Sequence, residues 1–144
     1  MKTAQVKWTG GLQFVGRGDS GHAVVMDAAR DNGGEDSGPR PSELTLIALG
    51  ACTGIDVVNI LTKMRVPFDS LDIRVEGEPA KENPRVWTEI RVTYIIRGEV
   101  PEDKLKRAIA LSHEKYCSVG AMLGATAKMS FAHEILPGSG RNPA

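Results

Sequence analysis

PSELTLIALGACTGIDVVNILTKM, residues 41–64, reads as one long helix that is apolar on nearly every side. Leu44, Ile47, Ala48, Ala51, Ile55, Val58 and Leu61 recur at spacings of three and four, while Leu46, Leu49, Val57 and Ile60 fill the other faces. That pattern marks a helix wrapped by protein. Pro41 suits a first helical turn, where its missing N–H would be unpaired anyway, and Glu43 places negative charge near the positive end of the helix dipole. At ~1.5 Å per residue the segment spans roughly 36 Å, about the width of a small domain. One helix therefore crosses the core. Its longest uncharged run, Leu44 to Ile55, is twelve residues, short of the roughly twenty that a bilayer needs, which argues for a protein core and against a membrane span.

The flanking segments supply the sheets that such a helix needs. Upstream, AQVKW, LQFV and HAVVMD within residues 4–27 read as strands, broken at Gly10-Gly11 and at GRGDSG, residues 16–21; both breaks suit hairpin turns. Residues 28–40 are polar and glycine-rich and form the loop into the helix. Downstream, Val66-Pro67 stops the helix. Leu71, Ile73 and Val75 alternate strictly with Asp72, Arg74 and Glu76, the signature of a sheet with one buried and one wet face. Val86 to Ile96 repeats the alternation as an antiparallel partner. A second helix opens at Pro101 and ends near Cys117, with Leu105, Ala108, Ile109, Ser112 and Tyr116 as its apolar stripe. SVGAMLGATA is a turn or short helix, and a last strand covers Lys128 to Ile135. The class is α+β, with antiparallel sheets wrapped around a long central helix that carries a cysteine.

Length and composition suit one domain, residues 1–136, followed by a loose tail, 137–144. Eighteen basic residues against eighteen acidic ones leave no net charge, so nothing points to nucleic acid or an anionic membrane as a partner. The first residues, MKTAQVKWTGG, lack the apolar run of a signal peptide, which points to the cytoplasm, where thiols are normally reduced. Two cysteines in that setting are redox-active or inert more readily than bridged.

Those cysteines, Cys52 and Cys117, lie 65 residues apart, so no local CxxC motif exists. On composition alone both read as small buried hydrophobes. Zinc is disfavoured because Cys52, Cys117, His22, His113 and His133 lack metal-ligand spacing. A Cys–His hydrolase would need His113 held against a thiol, and His113 reads more simply as a solvated helix residue. Neither GxSxG nor a phosphate-loop motif is present.

RPSELTLIALGACTGIDVVNIL, followed much later by KYCSVGAML, resembles the OsmC/Ohr family of thiol-dependent peroxidases, and the order of elements matches over nearly the whole chain. GACTGID around the first cysteine is closest to the OsmC-like branch. The resemblance implies an intertwined homodimer with its active sites at the subunit interface, no metal or organic cofactor, and a hydroperoxide and a thiol or dithiol reductant as reaction partners. It implies that Cys52 is the peroxidatic thiol and Cys117 the resolving one. Family members activate the thiolate with an arginine from the N-terminal strands and a glutamate ten residues before the cysteine. Here that position is Ser42, with Glu43 one residue later; Asp19 falls where the arginine is expected, leaving Arg17 nearby and Arg40 beside the helix start as candidates. Asp56, one turn beyond Cys52, would raise the pKa of a nearby thiol, and reads most simply as a polar contact at the dimer interface.

Two other readings use the same residues. A dimeric small-molecule binding or redox-sensing protein keeps the fold without the activity, and Ser42 favours it. A hotdog-type acyl-thioester enzyme also wraps a sheet around a helix, but a second helix ending in Cys117 argues against it.

Overall fold

Alternation in the first 27 residues produces a three-stranded antiparallel meander in the computed structural model, which describes residues 1–140. The strands are β1 (Ala4–Gly10), β2 (Gln13–Gly18) and β3 (Ala23–Met26), in the order β1-β2-β3. They belong to the first of two compact units, Met1–Thr45; the second is Leu46–Ala144. Gly10 and Gly11 take positive φ, 122° and 54°, and turn the first hairpin as expected. The second break falls later than expected. Gly16, Arg17 and Gly18 continue β2 in register with Val6, Gln5 and Ala4, so only Asp19 to His22 turns. The reason is the ladder itself: β1 offers backbone partners to residues whose glycine content alone suggests a bend.

Trp8 pairs with Phe14, Val6 with Gly16, and these in turn with Met26 and Val24. Directly opposed residues share a face, so this sheet has one apolar face, and Val6, Trp8, Phe14 and Val24 on it stay exposed.

The connection after β3 is ordered by one carboxylate. Asp27, 3% exposed, accepts hydrogen bonds from the backbone N–H of Ala28 (2.8 Å), Glu35 (3.1 Å) and Ser37 (3.2 Å) and from the Ser37 hydroxyl (2.7 Å). The Ser37 hydroxyl, then the three amides, hold the Asp27 carboxyl below its ordinary range against the opposing cost of burial. A loop too polar to pack on side chains is thus folded around an anion.

The central helix, α1 (Pro41–Lys63), forms as read. Arg65 at φ 57° ends it: Val66 N–H bonds back to Leu61 O and Arg65 N–H to Thr62 O, both at 3.0 Å. This pair of reversed bonds closes the last turn before Pro67 is reached. Within one chain α1 buries a single stripe, Leu49, Thr53, Val57 and Leu61. Ile47, Ile55 and Val58 remain 58%, 64% and 39% exposed, so one side of the helix has no cover from its own chain. By length and composition alone α1 is able to cross a bilayer, although its uncharged run is short. Its buried stripe is nevertheless that of a core helix.

That stripe packs on a second sheet, β4 (Ser70–Pro79), β5 (Trp87–Arg97) and β6 (Lys128–Leu136), in the order β4-β5-β6. Ile90, Val92, Tyr94 and Ile96 of β5 form the core with Leu49, Val57 and Leu61, and with Leu105, Ala108 and Ile109 of α2 (Glu102–Leu111). Glycine lets α1 approach β4: a Cβ on Gly54 would lie 2.9 Å from Ile73 Cδ1 and one on Gly50 3.2 Å from Val75 Cγ2. The β4–β5 ladder is antiparallel, whereas β6 pairs parallel to β5, because the chain returns through a helical crossover.

The crossover also differs from the expected single helix. α2 stops at Leu111, a π-helical turn covers Ser112–Tyr116, and α3 (Ser118–Gly124) follows Cys117. The wider turn rotates Tyr116 out of the apolar stripe, and it is 53% exposed. Of the expected tail, Ser139 N–H bonds Asp69 Oδ2 at 2.9 Å, and residues 141–144 lie outside the described residues.

Replacing Asp27 with Ala should accelerate hydrogen exchange at the Glu35 and Ser37 amides. In the unchanged protein, acid should do the same. Because the folded carboxyl has a depressed pKa, its stabilisation is present above the unfolded value of ~3.9 and is lost as pH falls through the lower, folded one. Exchange that is identical in both proteins from neutral to acid pH would contradict this account.

Candidate functional site

Cys52 sits at mid-helix on α1, and Cys117 at the junction between the π-helical turn and α3. The fold brings them together, close enough for Cys52 to contribute to a raised Cys117 pKa. Both are free thiols, Cys117 buried at 3% exposure and Cys52 only partly buried. Burial, followed by the neighbouring Cys52 side chain, pushes the Cys117 thiol above its ordinary pKa, opposed by the Gly120 N–H that donates to its sulfur at 3.2 Å. The nearby charges of Cys52 and Asp56 act in the same upward direction. Cys117 is therefore held as the thiol, and Cys52 is the more exposed of the two. Thr53, Leu49, His113, Cys117, Met129 and Phe131 help line a cleft of about 270 Å³ at this position.

Beneath the cysteines runs a chain of hydroxyl groups. Tyr94 Oη lies 2.6 Å from Thr53 Oγ1, Thr53 Oγ1 lies 2.8 Å from Ser112 Oγ, and Ser112 Oγ lies 2.9 Å from Asp56 Oδ2. Its direction follows from proton counting, since each hydroxyl has one hydrogen and an ionised carboxylate only accepts. Ser112 donates to Asp56, so Thr53 must donate to Ser112 and Tyr94 to Thr53. Burial raises the Tyr94 phenol to about 12, against the Thr53 hydrogen bond and with the charges of Cys117 and Asp56 adding to the rise. It thus stays a donor.

None of Thr53, Tyr94 and Ser112 stands out in the sequence as functional. Tyr94 and Ser112 sit at inward positions of apolar stripes, and the usable signal is that three inward positions carry hydroxyls near two cysteines. Asp56 is engaged within its own chain, by Ser112. His113 is not a solvated helix residue: it stacks on Phe131, ring centroids 4.1 Å apart and planes 11° from parallel, in the cleft wall.

The expected activating residues lie in the first compact unit. Arg40 N–H donates to Glu43 Oε2 at 3.0 Å and its guanidinium to Oε1 at 3.3 Å, while another guanidinium nitrogen meets Asp36 Oδ1 at 3.0 Å. The backbone bond from Arg40 is the main cause of a lowered Glu43 pKa. Glu43 reaching back to the residue before Pro41 is the acidic half of a capping box. At about 100° per residue, nine residues set Glu43 half a turn from Cys52. Arg17 is exposed on β2 opposite Gln5 and Ala23, and Asp19 accepts the Thr3 hydroxyl at 2.6 Å.

The α+β fold sets two unequally buried cysteines near each other and near an apolar cleft. The family model described as OsmC-like protein matches residues 34–132. The chain belongs to the OsmC-like family. It is 39% identical over 134 residues to Protein YhfA of Escherichia coli strain K12, covering 92% of this chain and 97% of that one. A crystal structure of a hypothetical protein from Aquifex aeolicus VF5 superposes with a TM-score of 0.84 at 30% identity, covering 95% of this chain and 97% of that one. An organic hydroperoxide resistance protein from Elizabethkingia anophelis shares the fold, with a TM-score of 0.72 at 14% identity and coverage of 94% and 96%.

Thr53→Val should cost about 1–3 kcal/mol in unfolding free energy, because it strands the buried Tyr94 donor; a denaturant midpoint equal to wild type would contradict this. Brief iodoacetamide treatment near neutral pH should label Cys52 well ahead of Cys117, with Cys117 labelling rising only as alkali is added. Peptide mapping reads the ratio.

Proposed function

We propose that this chain is a cysteine-based peroxidase that reduces organic hydroperoxides at the expense of a thiol or dithiol, as a homodimer in the reducing cytoplasm. The observation that carries the reading is the neighbouring, unequally buried pair Cys52 and Cys117, with Cys117 in the wall of an apolar cleft. In the first step the Cys52 thiolate attacks the distal peroxide oxygen. The O–O bond breaks, an alcohol leaves after taking a proton, and Cys52 becomes a sulfenic acid. Cys117 then attacks that sulfur, water leaves with the thiol proton, and a disulfide forms. An external dithiol reverses it by exchange.

The cleft walls, Leu49, Met129 and Phe131, suit an alkyl or aryl group on the peroxide. Dimerisation is supported by two uncovered apolar surfaces: Ile47, Ile55 and Val58 on α1, and Val6, Trp8, Phe14 and Val24 on the first sheet. A second reading, a redox-sensing or small-molecule binding dimer, is favoured by one observation. Arg40 and Glu43 are hydrogen-bonded to each other, which leaves Arg17 as the other candidate activator.

One equivalent of tert-butyl hydroperoxide should consume both thiols and join Cys52 to Cys117 within a chain. Cys52→Ser should leave Cys117 unreacted, and Cys117→Ser should stop at a sulfenic acid or go on to over-oxidation. Equal, slow modification of both cysteines would favour the second reading. Light scattering should give twice the 15.5 kDa chain mass, and a monomer at micromolar concentration would refute the dimer.

A further inference from the structure

Ser112 makes three contacts that link Cys117 to α1. Its backbone carbonyl accepts the Cys117 N–H at 2.7 Å, the bond that closes the π-helical turn. Its hydroxyl accepts from Thr53 and donates to Asp56, both on α1, the helix that carries Cys52. Ser112 itself is fully buried, at 0% exposure. One residue therefore ties the backbone of Cys117 to the helix of Cys52, through two side-chain bonds on one side and one main-chain bond on the other. The turn it anchors is of a kind that is rare outside functional sites.

We propose that Ser112 is the positioning residue for the second thiol: anchored to Thr53 and Asp56, it holds Cys117 at attacking distance and angle from an oxidised Cys52. The chemistry rests on the peroxidase reading, in which the Cys117 sulfur displaces water from the Cys52 sulfenic acid. The geometry does not, since any two-thiol closure between these residues needs the same alignment. Misplacement on the order of 1 Å can cost about a hundredfold in such a step.

Four titratable groups face Cys117: Cys52 and Asp56 from α1, Tyr94 from β5, and His113 from the π-helical turn. Asp56 gives the proposal its sharpest test, because it acts in two opposed ways. As an anion near Cys117 it disfavours the thiolate, so removing it should speed closure if charge is what matters. As the acceptor that anchors Ser112, its removal should slow closure.

The experiment follows two rates after a pulse of oxidant, loss of the Cys52 thiol and formation of the Cys52–Cys117 disulfide, in wild type, Ser112→Ala and Asp56→Ala. One arm uses tert-butyl hydroperoxide. The other uses diamide, which adds to one thiolate across its N=N bond and is displaced as the hydrazine when the second thiol closes the disulfide. In Ser112→Ala the proposal expects an unchanged first step and closure slowed about tenfold to a hundredfold, with the pH midpoint of closure unmoved. Asp56→Ala, a change at a partly buried position, should also slow closure. In Ser112→Ala, closure at the wild-type rate, an equal fall of both steps or a shifted pH midpoint would each overturn it, as would faster closure in Asp56→Ala. If peroxide leaves wild-type Cys52 untouched, the peroxidase reading fails, and the diamide arm still decides the role of Ser112.

Discussion

A carboxylate at the end of a row of hydroxyls constrains the second compact unit of this protein more than any other single contact. Asp56 accepts a hydrogen bond from Ser112, Ser112 must then accept from Thr53, and Thr53 from Tyr94. The row joins three elements, α1, β5 and the π-helical turn, within a core built mostly of apolar side chains. Such side chains tolerate sliding, whereas three hydrogen bonds in series hold one register. Among the described residues, no buried side-chain nitrogen or oxygen lacks a partner. That matters here, because a partly satisfied buried network is worse than an apolar core.

The two cysteines acquire different chemistry from the same few contacts. Cys117 is buried and lies near Cys52 and the Asp56 charge, all of which raise its pKa and keep it protonated. Its sulfur also caps α3 by accepting the Gly120 N–H, and a Cβ on Gly120 would come within 3.3 Å of that sulfur. Cys52 sits at mid-helix on α1 and is only partly buried. Unequal surroundings, rather than any difference between the residues, divide the proposed roles of attacking and resolving thiol.

Period and alternation made most of this fold legible. α1, the β4–β5 ladder and the buried face of β5 follow from residue spacing, because spacing is what decides which side chains can share a face. Ladder pairing and crossover geometry were harder to read. Arg17 looked like a turn residue because its glycine neighbours permit a bend, but β1 supplied a pairing partner. Tyr116 fitted a helical stripe until a π-helical turn, which local sequence does not announce, rotated it into solvent. Likewise, the parallel placement of β6 depends on how the crossover packs. The cysteines were found by resemblance to a family, while Thr53, Ser112 and Tyr94 looked like ordinary core positions. A hydroxyl on an inward face is visible in a sequence; its partner, up to 59 residues away, is not.

The parallel β5–β6 ladder also sets when the thiol pair can exist. Antiparallel neighbours such as β4 and β5 can zip from a short connection, but β6 reaches β5 only after the segment from Gly98 to Ala127 has been closed as a loop, and closure entropy must be met before any ladder bond forms. Cys117 lies inside that segment. On an unfolded chain, then, nothing holds it beside Cys52. Their reactivity toward each other is a property of the finished fold, and a nascent chain has little means of trapping itself in a premature disulfide.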